Sequence, residues 1–212
     1  YQHIEEESAK PGKMHPLQLS LDVQDLMGDE DWLIFDGGNT HFWSEIAVNM
    51  AGWRGQKLGG IMHPGNYSLL GVGVSFGVSA KALNPASNVV VISGDGAFLS
   101  GGLSIEAAFQ ENLPITIVID NNGGLDCISQ QQERLFANGK HFATDFRDIP
   151  FHTMCEGLGG HGEVVETREQ LRPALERAMA SGKVALVNVK CRGVISPIVA
   201  ATSDKRDKAS IE

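Results

Sequence analysis

Apolar residues along this chain gather in short runs, separated by glycine-rich polar turns and by longer stretches of mixed character. Trp32-Leu33-Ile34-Phe35, Val89-Val90-Val91-Ile92 and Ile115-Thr116-Ile117-Val118-Ile119 are four or five residues long and mostly β-branched. That is the pattern of strands buried on both faces of a parallel sheet. Further strands are expected at Ala185 to Val189 and, shorter, at Gly162 to Val165. Helices are expected between them. Pro16 to Met27 opens on a proline and closes at Gly28, and the helix running to about Met50 has Asn39 or Thr40 as its cap. Leu69 to Leu83 is rich in glycine and alanine, which suits close packing on a neighbouring backbone. Ser104 to Glu111, Phe151 to Leu158 and Arg168 to Ala180 complete the set, and Gly59 to Tyr67 reads as a loop. Such alternation predicts an α/β protein: a doubly wound, mainly parallel sheet with helices on both faces.

Polar composition at both ends sets the expected boundaries. Residues 1–14, with the Pro11-Gly12 turn, read as a linker or arm, 15–192 as one domain, and 193–212 as a polar, mobile C-terminal tail. The acidic start lacks an initiator methionine and does not resemble a signal peptide, so a longer parent chain is expected.

Composition narrows the function. Lys and Arg number 17 and Asp and Glu 26, so 17 − 26 gives a formal charge of −9. This argues against a nucleic-acid or anionic-membrane binder, which needs a basic face. A small anion is still compatible, because backbone N–H groups and a metal can hold phosphate locally. Glycine accounts for 25 of 212 residues, about 12% against a usual 7% or so, without collagen periodicity. The three cysteines, Cys127, Cys155 and Cys191, are widely spaced and form no disulfide framework, so a reducing, cytoplasmic location is expected. No apolar run reaches the roughly eighteen residues of a membrane span.

In doubly wound sheets ligands bind beyond the carboxyl ends of the strands. Three expected strands end in polar glycine turns there: Asp36 to Thr40, Gly94-Asp95-Gly96 and Asn121 to Gly124. Asp95 offers a carboxylate and Asn122 an amide oxygen, donors that suit a hard divalent cation. Residues 96 to 121, twenty-six positions, separate them, room for one helix and one strand that would bring the two turns side by side. Asp-Gly and Asn-Gly are also ordinary turn formers. It is their joint occurrence after two buried strands that points to a ligand.

Gly94-Asp95-Gly96 followed by Asn121-Asn122 resembles the signature of the thiamine diphosphate-dependent enzyme superfamily, which includes acetolactate synthase, benzoylformate decarboxylase and oxalyl-CoA decarboxylase. The resemblance runs from about Met14 to Arg192 and corresponds to the C-terminal diphosphate-binding domain. It implies thiamine diphosphate and Mg²⁺ as cofactors, with Asp95, the Asn122 side chain and the Gly124 carbonyl as metal ligands. Gly38, Asn39 and Thr40 match the first diphosphate loop, and Gly94, Gly96 and Ala97 the second. Ser68 to Gly73 is similar to the segment that props the cofactor into a bent shape. Leu70 stands where the family has methionine, and the Ser68 carbonyl faces the aminopyrimidine. Leu125 falls among the cofactor contacts.

The resemblance further implies an activating glutamate from a pyrimidine-binding domain, in the same longer chain or in a separate subunit, and hence a dimer or tetramer. Ser100 to Glu106, and Asn112 to Ile119 with Asn121-Asn122-Gly123-Gly124, look most like the oxalyl-CoA decarboxylase and 2-hydroxyacyl-CoA lyase branch, although Leu125 to Ile128 departs from it. The expected activity is a lyase, decarboxylase or carboligase acting on a small 2-oxo acid or 2-hydroxyacyl-CoA. Acetolactate synthase-like carboligation is the alternative, and a non-catalytic assembly subunit with the same fold is a further one.

Other features are weaker. Gly71-Val72-Gly73 does not follow a strand, so it reads as helix packing rather than a dinucleotide site. His41 and His63 are surface histidines by default, with His63 a weak candidate for proton transfer. Cys127 reads as an apolar filler. Gln130 to Arg134 is open between a cover over the cofactor and a solvated helix face, and the tail could fold over a CoA ligand.

Overall fold

A computed structural model describes residues 6, 8, 10, 12–136 and 139–201. The acidic start (1–5 and 7) and the Ser203-to-Lys208 end of the tail lie outside the described residues. Six strands form one sheet: β1 (Trp32–Asp36), β2 (Gly60–Met62), β3 (Val89–Gly94), β4 (Thr116–Asn121), β5 (His161–Val165) and β6 (Ala185–Lys190). Their order is β2-β1-β3-β4-β6-β5, and every pairing is parallel. Among the described residues the helices are α1 (Pro16–Gln24), α2 (Asn39–Trp53), α3 (Gly73–Leu83), α4 (Asp95–Gly101), α5 (Ile105–Gln110), α6 (Asp126–Leu135), α7 (Phe151–Gly157) and α8 (Arg168–Ala180).

Strand residues alternate between two cores, as the period of two requires. Leu33, Phe35, Val90, Ile92 and Val118 face a layer that includes α1 and α8. Ile34, Val89, Val91, Ile117 and Ile119 face α3, α5 and α7. A third cluster, built on Leu17, Trp43, Ile46 and Met50, joins α1 to α2. With both faces covered, the central strands read as unbroken apolar runs, which is why they were visible in sequence.

Several expectations are corrected. The Gly59-to-Tyr67 loop contains the edge strand β2, which seats Gly60 where a Cβ would lie 2.5 Å from the Trp32 ring. The helix expected from Leu69 begins at Gly73 instead, because Ser68 (φ 50°) and Gly71 (φ 88°) sit in the left-handed region. The Gly94-Asp95-Gly96 turn is itself the start of a helix, α4. β4 runs on to Asn121, carrying Asp120 inside the sheet. The stretch expected as a free tail from 193 packs down at its start: Ser196 is fully buried, Val199 nearly so, and Trp43 Nε1 donates to the Val194 carbonyl at 2.8 Å.

Candidate functional site

The chain leaves β1 toward β2 on one side and returns to β3 on the other, so the sheet reverses direction between β1 and β3. A cleft of about 310 Å³ opens at that point, beyond the carboxyl ends of the strands. The register sets Asp36 beside Ser93 and Gly94 beside Asp120, so the turns after β1, β3 and β4 converge. All twelve sequence-selected cofactor positions line this cleft: Gly38, Asn39, Thr40, Ser68, Leu70, Gly94, Asp95, Gly96, Ala97, Asn122, Gly124 and Leu125.

Asp95 occupies the first turn of α4 and is 2% exposed. One carboxylate oxygen accepts from the Gly96 amide at 2.7 Å. The other accepts from Gly123 and Gly124 at 2.8 and 3.1 Å, tying the β3 turn to the β4 turn. Burial pushes its carboxyl up to about 6, against the pull of those amides. Beside it, Asn122 Oδ1 is buried and has no hydrogen-bond partner. A buried amide oxygen without a donor is costly and rare, and an oxygen-seeking cation would complete it. Gly123 (φ 88°) makes the bend that presents this loop. Close approach is also enforced at Gly96, where a Cβ would stand 2.4 Å from Leu125. Among the described residues no group of three or more His, Cys, Asp or Glu side chains is placed to hold a metal. The donor set here is of the other kind: one carboxylate, one amide and the backbone of a bend.

In the loop after β1 the polar side chains are engaged within the protein. Asn39 Nδ2 donates to Asp126 at 2.9 Å and to Gln130 at 3.3 Å, and Asn39 Oδ1 accepts from the Ser196 amide at 3.0 Å. Thr40 turns its hydroxyl toward the sheet, donating to Asp120 at 2.8 Å. Asn39 and Thr40 are therefore struts. What this loop offers an anion is its backbone at the start of α2, where N–H groups are free of helical partners. Fully buried, Asp120 is pushed up to about 7, with the Cys191 thiol against it.

Sequence reasoning missed the roles of Asp36 and Asp120, because a lone aspartate at a strand end reads as a turn residue, and of Asp126, which opens α6. Asp36 Oδ2 accepts from the Gly71 and Gly73 amides at 2.9 and 2.8 Å, pinning the turn that carries Leu70. Burial raises its carboxyl above the ordinary range. His41, expected at the surface, is instead buried and lines the cleft. Burial, with His63 adding to it, lowers its pKa. His63 lies outside the cleft lining, stacked 5.0 Å from Phe35 at 7°. Cys127 packs beneath Gly38, whose Cβ would stand 3.1 Å from the Cys127 Cβ. Burial first, and then the charge of Asp126, keep its thiol protonated. Gln130 to Arg134 is helical, and Gln130 braces Asp126 at 3.0 Å.

Residues 36–189 match the family model described as thiamine pyrophosphate enzyme, C-terminal TPP binding domain. The chain is 30% identical over 177 residues to the acetolactate synthase large subunit IlvG of Mycobacterium tuberculosis, covering 83% of this chain and 31% of that protein. It is 30% identical over 145 residues to a 2-hydroxyacyl-CoA lyase of Arabidopsis thaliana (66% and 25%). It is also 30% identical over 143 residues to an indole-3-pyruvate decarboxylase of Azospirillum brasilense (66% and 25%). The chain thus spans less than a third of the length of these relatives. It belongs to the thiamine pyrophosphate enzymes, as their C-terminal cofactor-binding domain.

Proposed function

We propose that this thiamine pyrophosphate-binding domain holds the diphosphate end of the cofactor through Mg²⁺, as one half of the active site of an enzyme that cleaves or forms carbon–carbon bonds. The observation that carries the reading is the orphaned Asn122 Oδ1 beside the Asp95 carboxylate. Asp95, Asn122 and the Gly124 carbonyl would hold the cation, and the backbone of Gly38 to Thr40 and of Gly96-Ala97 would receive the phosphate oxygens. Bound there, the cofactor supplies a thiazolium carbon nucleophile and an electron sink for a carbonyl substrate.

The chain's own part is binding and orientation. Leu70, on the turn pinned by Asp36, stands in the cleft wall as the prop, and Ser68 adjoins it. Apolar Leu125 and Ile128 line the same cleft and would limit water in it. The activating carboxyl group comes from a pyrimidine-binding domain, in the same longer chain or across a homo-oligomer interface. His63 has no part in proton transfer under this reading, since it lies outside the cleft lining.

For the substrate, Asn121-Asn122-Gly123-Gly124 favours the 2-hydroxyacyl-CoA lyase and oxalyl-CoA decarboxylase branch. The longer match to acetolactate synthases, 83% of the chain against 66%, favours a 2-oxo acid carboligase as the second reading. Calorimetry of the chain with thiamine diphosphate tests the site: binding is expected with Mg²⁺ and is expected to vanish with chelator. Equal affinity under both conditions would remove the metal from the reading.

A further inference from the structure

Beyond α6 the chain returns as a strap that runs antiparallel to the metal loop. Gly124 pairs with Asp145, the Leu125 amide donates to the Thr144 carbonyl at 2.8 Å, and the Phe146 amide donates to the Gly123 carbonyl at 2.8 Å. The fit is tight, since a Cβ on Gly124 would stand 2.4 Å from the Thr144 carbonyl oxygen. The strap therefore backs the three residues that present Asn122 and Gly124 to the cleft.

Two contacts fasten the strap to α6. Gln132 and Phe142 exchange a pair of hydrogen bonds, Phe142 N to Gln132 Oε1 at 2.7 Å and Gln132 Nε2 to the Phe142 carbonyl at 3.1 Å. His141 makes the second contact with both of its ring nitrogens. Nε2 meets Glu133 of α6 at 2.8 Å, and Nδ1 meets Asp145 of the strap at 2.8 Å. A neutral imidazole carries one N–H, so it serves one carboxylate and turns a lone pair on the other. Only the imidazolium donates to both. The charged groups facing it are Glu133 from α6, Asp145 from the strap and, at longer range, Asp126 from the start of α6. All three favour the protonated ring, and the hydrogen bonds to Asp145 and then Glu133 raise its pKa.

We infer that His141, as an imidazolium, is a positioning residue of the cofactor site: it clasps the strap to α6 and so holds the Gly123–Leu125 loop in its ligand-presenting shape. The inference rests on the proposed metal-diphosphate role of that loop. The sign follows from the raised pKa. The clasp is closed at low pH and opens as pH rises through the folded value, opposite in direction to the ionisation of Asp95.

The test follows hydrogen exchange at the Leu125 and Phe146 amides in the chain without cofactor, at about pH 6 and about pH 8.5. Wild type, His141→Gln and His141→Arg are compared, with rates corrected for intrinsic exchange. Wild type is expected to lose about fivefold protection at the higher pH, the change that two exposed charge pairs support. His141→Gln should be low at both pH values and His141→Arg high at both, and added salt should shrink the differences. Affinities for thiamine diphosphate with Mg²⁺ should rank the variants in the same order at each pH. Equal protection in wild type and His141→Gln at both pH values would overturn the clasp. Protection that responds while affinity does not would overturn its role at the site. A chain that binds no thiamine diphosphate in any variant would fail the functional reading, while the exchange data still decide the clasp.

Discussion

Asn39 and Asn122 carry the same side chain, line the same cleft and follow strands β1 and β4, which flank β3, yet they are used in opposite ways. Asn39 has both ends occupied, by Asp126, Gln130 and the Ser196 amide, and serves as a joint between α2, α6 and the C-terminal segment. Asn122 leaves its buried oxygen without a donor. The first is structure already complete; the second is a buried oxygen left open, which in the proposed function a cation would fill. Residue type alone cannot separate these cases, because the difference lies in whether tertiary neighbours fill the hydrogen-bonding capacity.

The comparison can be broken most forcefully at Asp95, the carboxylate beside the open oxygen. Asp95→Asn should abolish measurable Mg²⁺-dependent binding of thiamine diphosphate, by calorimetry, while thermal unfolding stays cooperative, since no cavity is made. Retained wild-type affinity would make Asp95 a turn residue and leave Asn122 without a metal to serve.

The same carboxylate gives a pH signature. Its folded pKa, about 6, lies above the ordinary 3.8. The folded state therefore holds this proton more firmly than the unfolded one. That contribution is full below about pH 4 and is lost as pH rises through 6, about 3 kcal/mol in all. In the proposed site a bound cation would replace the proton. The rise in melting temperature produced by Mg²⁺ with thiamine diphosphate should therefore grow from about pH 5 to about pH 7 in wild type and stay flat in Asp95→Asn.

The two asparagines themselves provide the finer contrast. Asn39→Ala should cost about 1–3 kcal/mol of stability, because it strands the Ser196 amide and leaves Asp126 with Gln130 alone of its two amide donors. Asn122→Ala should change stability by under about 0.5 kcal/mol but weaken Mg²⁺-dependent binding by about tenfold or more. Chemical denaturation and calorimetry on both variants check this. Equal stability losses would mean the Asn122 oxygen is satisfied in solution.

The contrast also marks what could be read in advance. The central strands were legible because burial on two faces leaves unbroken apolar runs, and the convergence of Asp95 and Asn122 on one cleft because both follow such strands at a crossover's distance. The side-chain partners of Asn39 and Thr40 were not legible, since Asp126 and Asp120 stand 87 and 80 residues away. Asp36 and His141 escaped notice for the same reason: each acts through backbone or side chains that only the fold brings near. The strand β2 was lost because an exposed three-residue edge has no apolar run to show.

One contact between two glycines has a consequence for the cost of binding. A Cβ on Gly101, at the end of α4, would stand 1.9 Å from the Gly71 carbonyl oxygen, and the Gly71 amide is held by Asp36. The turn that carries Leu70 and the helix that carries Asp95 are thus in backbone contact, with no side chain between them to yield. Under the proposed reading, the cofactor would meet two surfaces whose spacing is fixed before it arrives. The entropy of aligning them is lost once, when the chain folds, and is not charged again to each binding event.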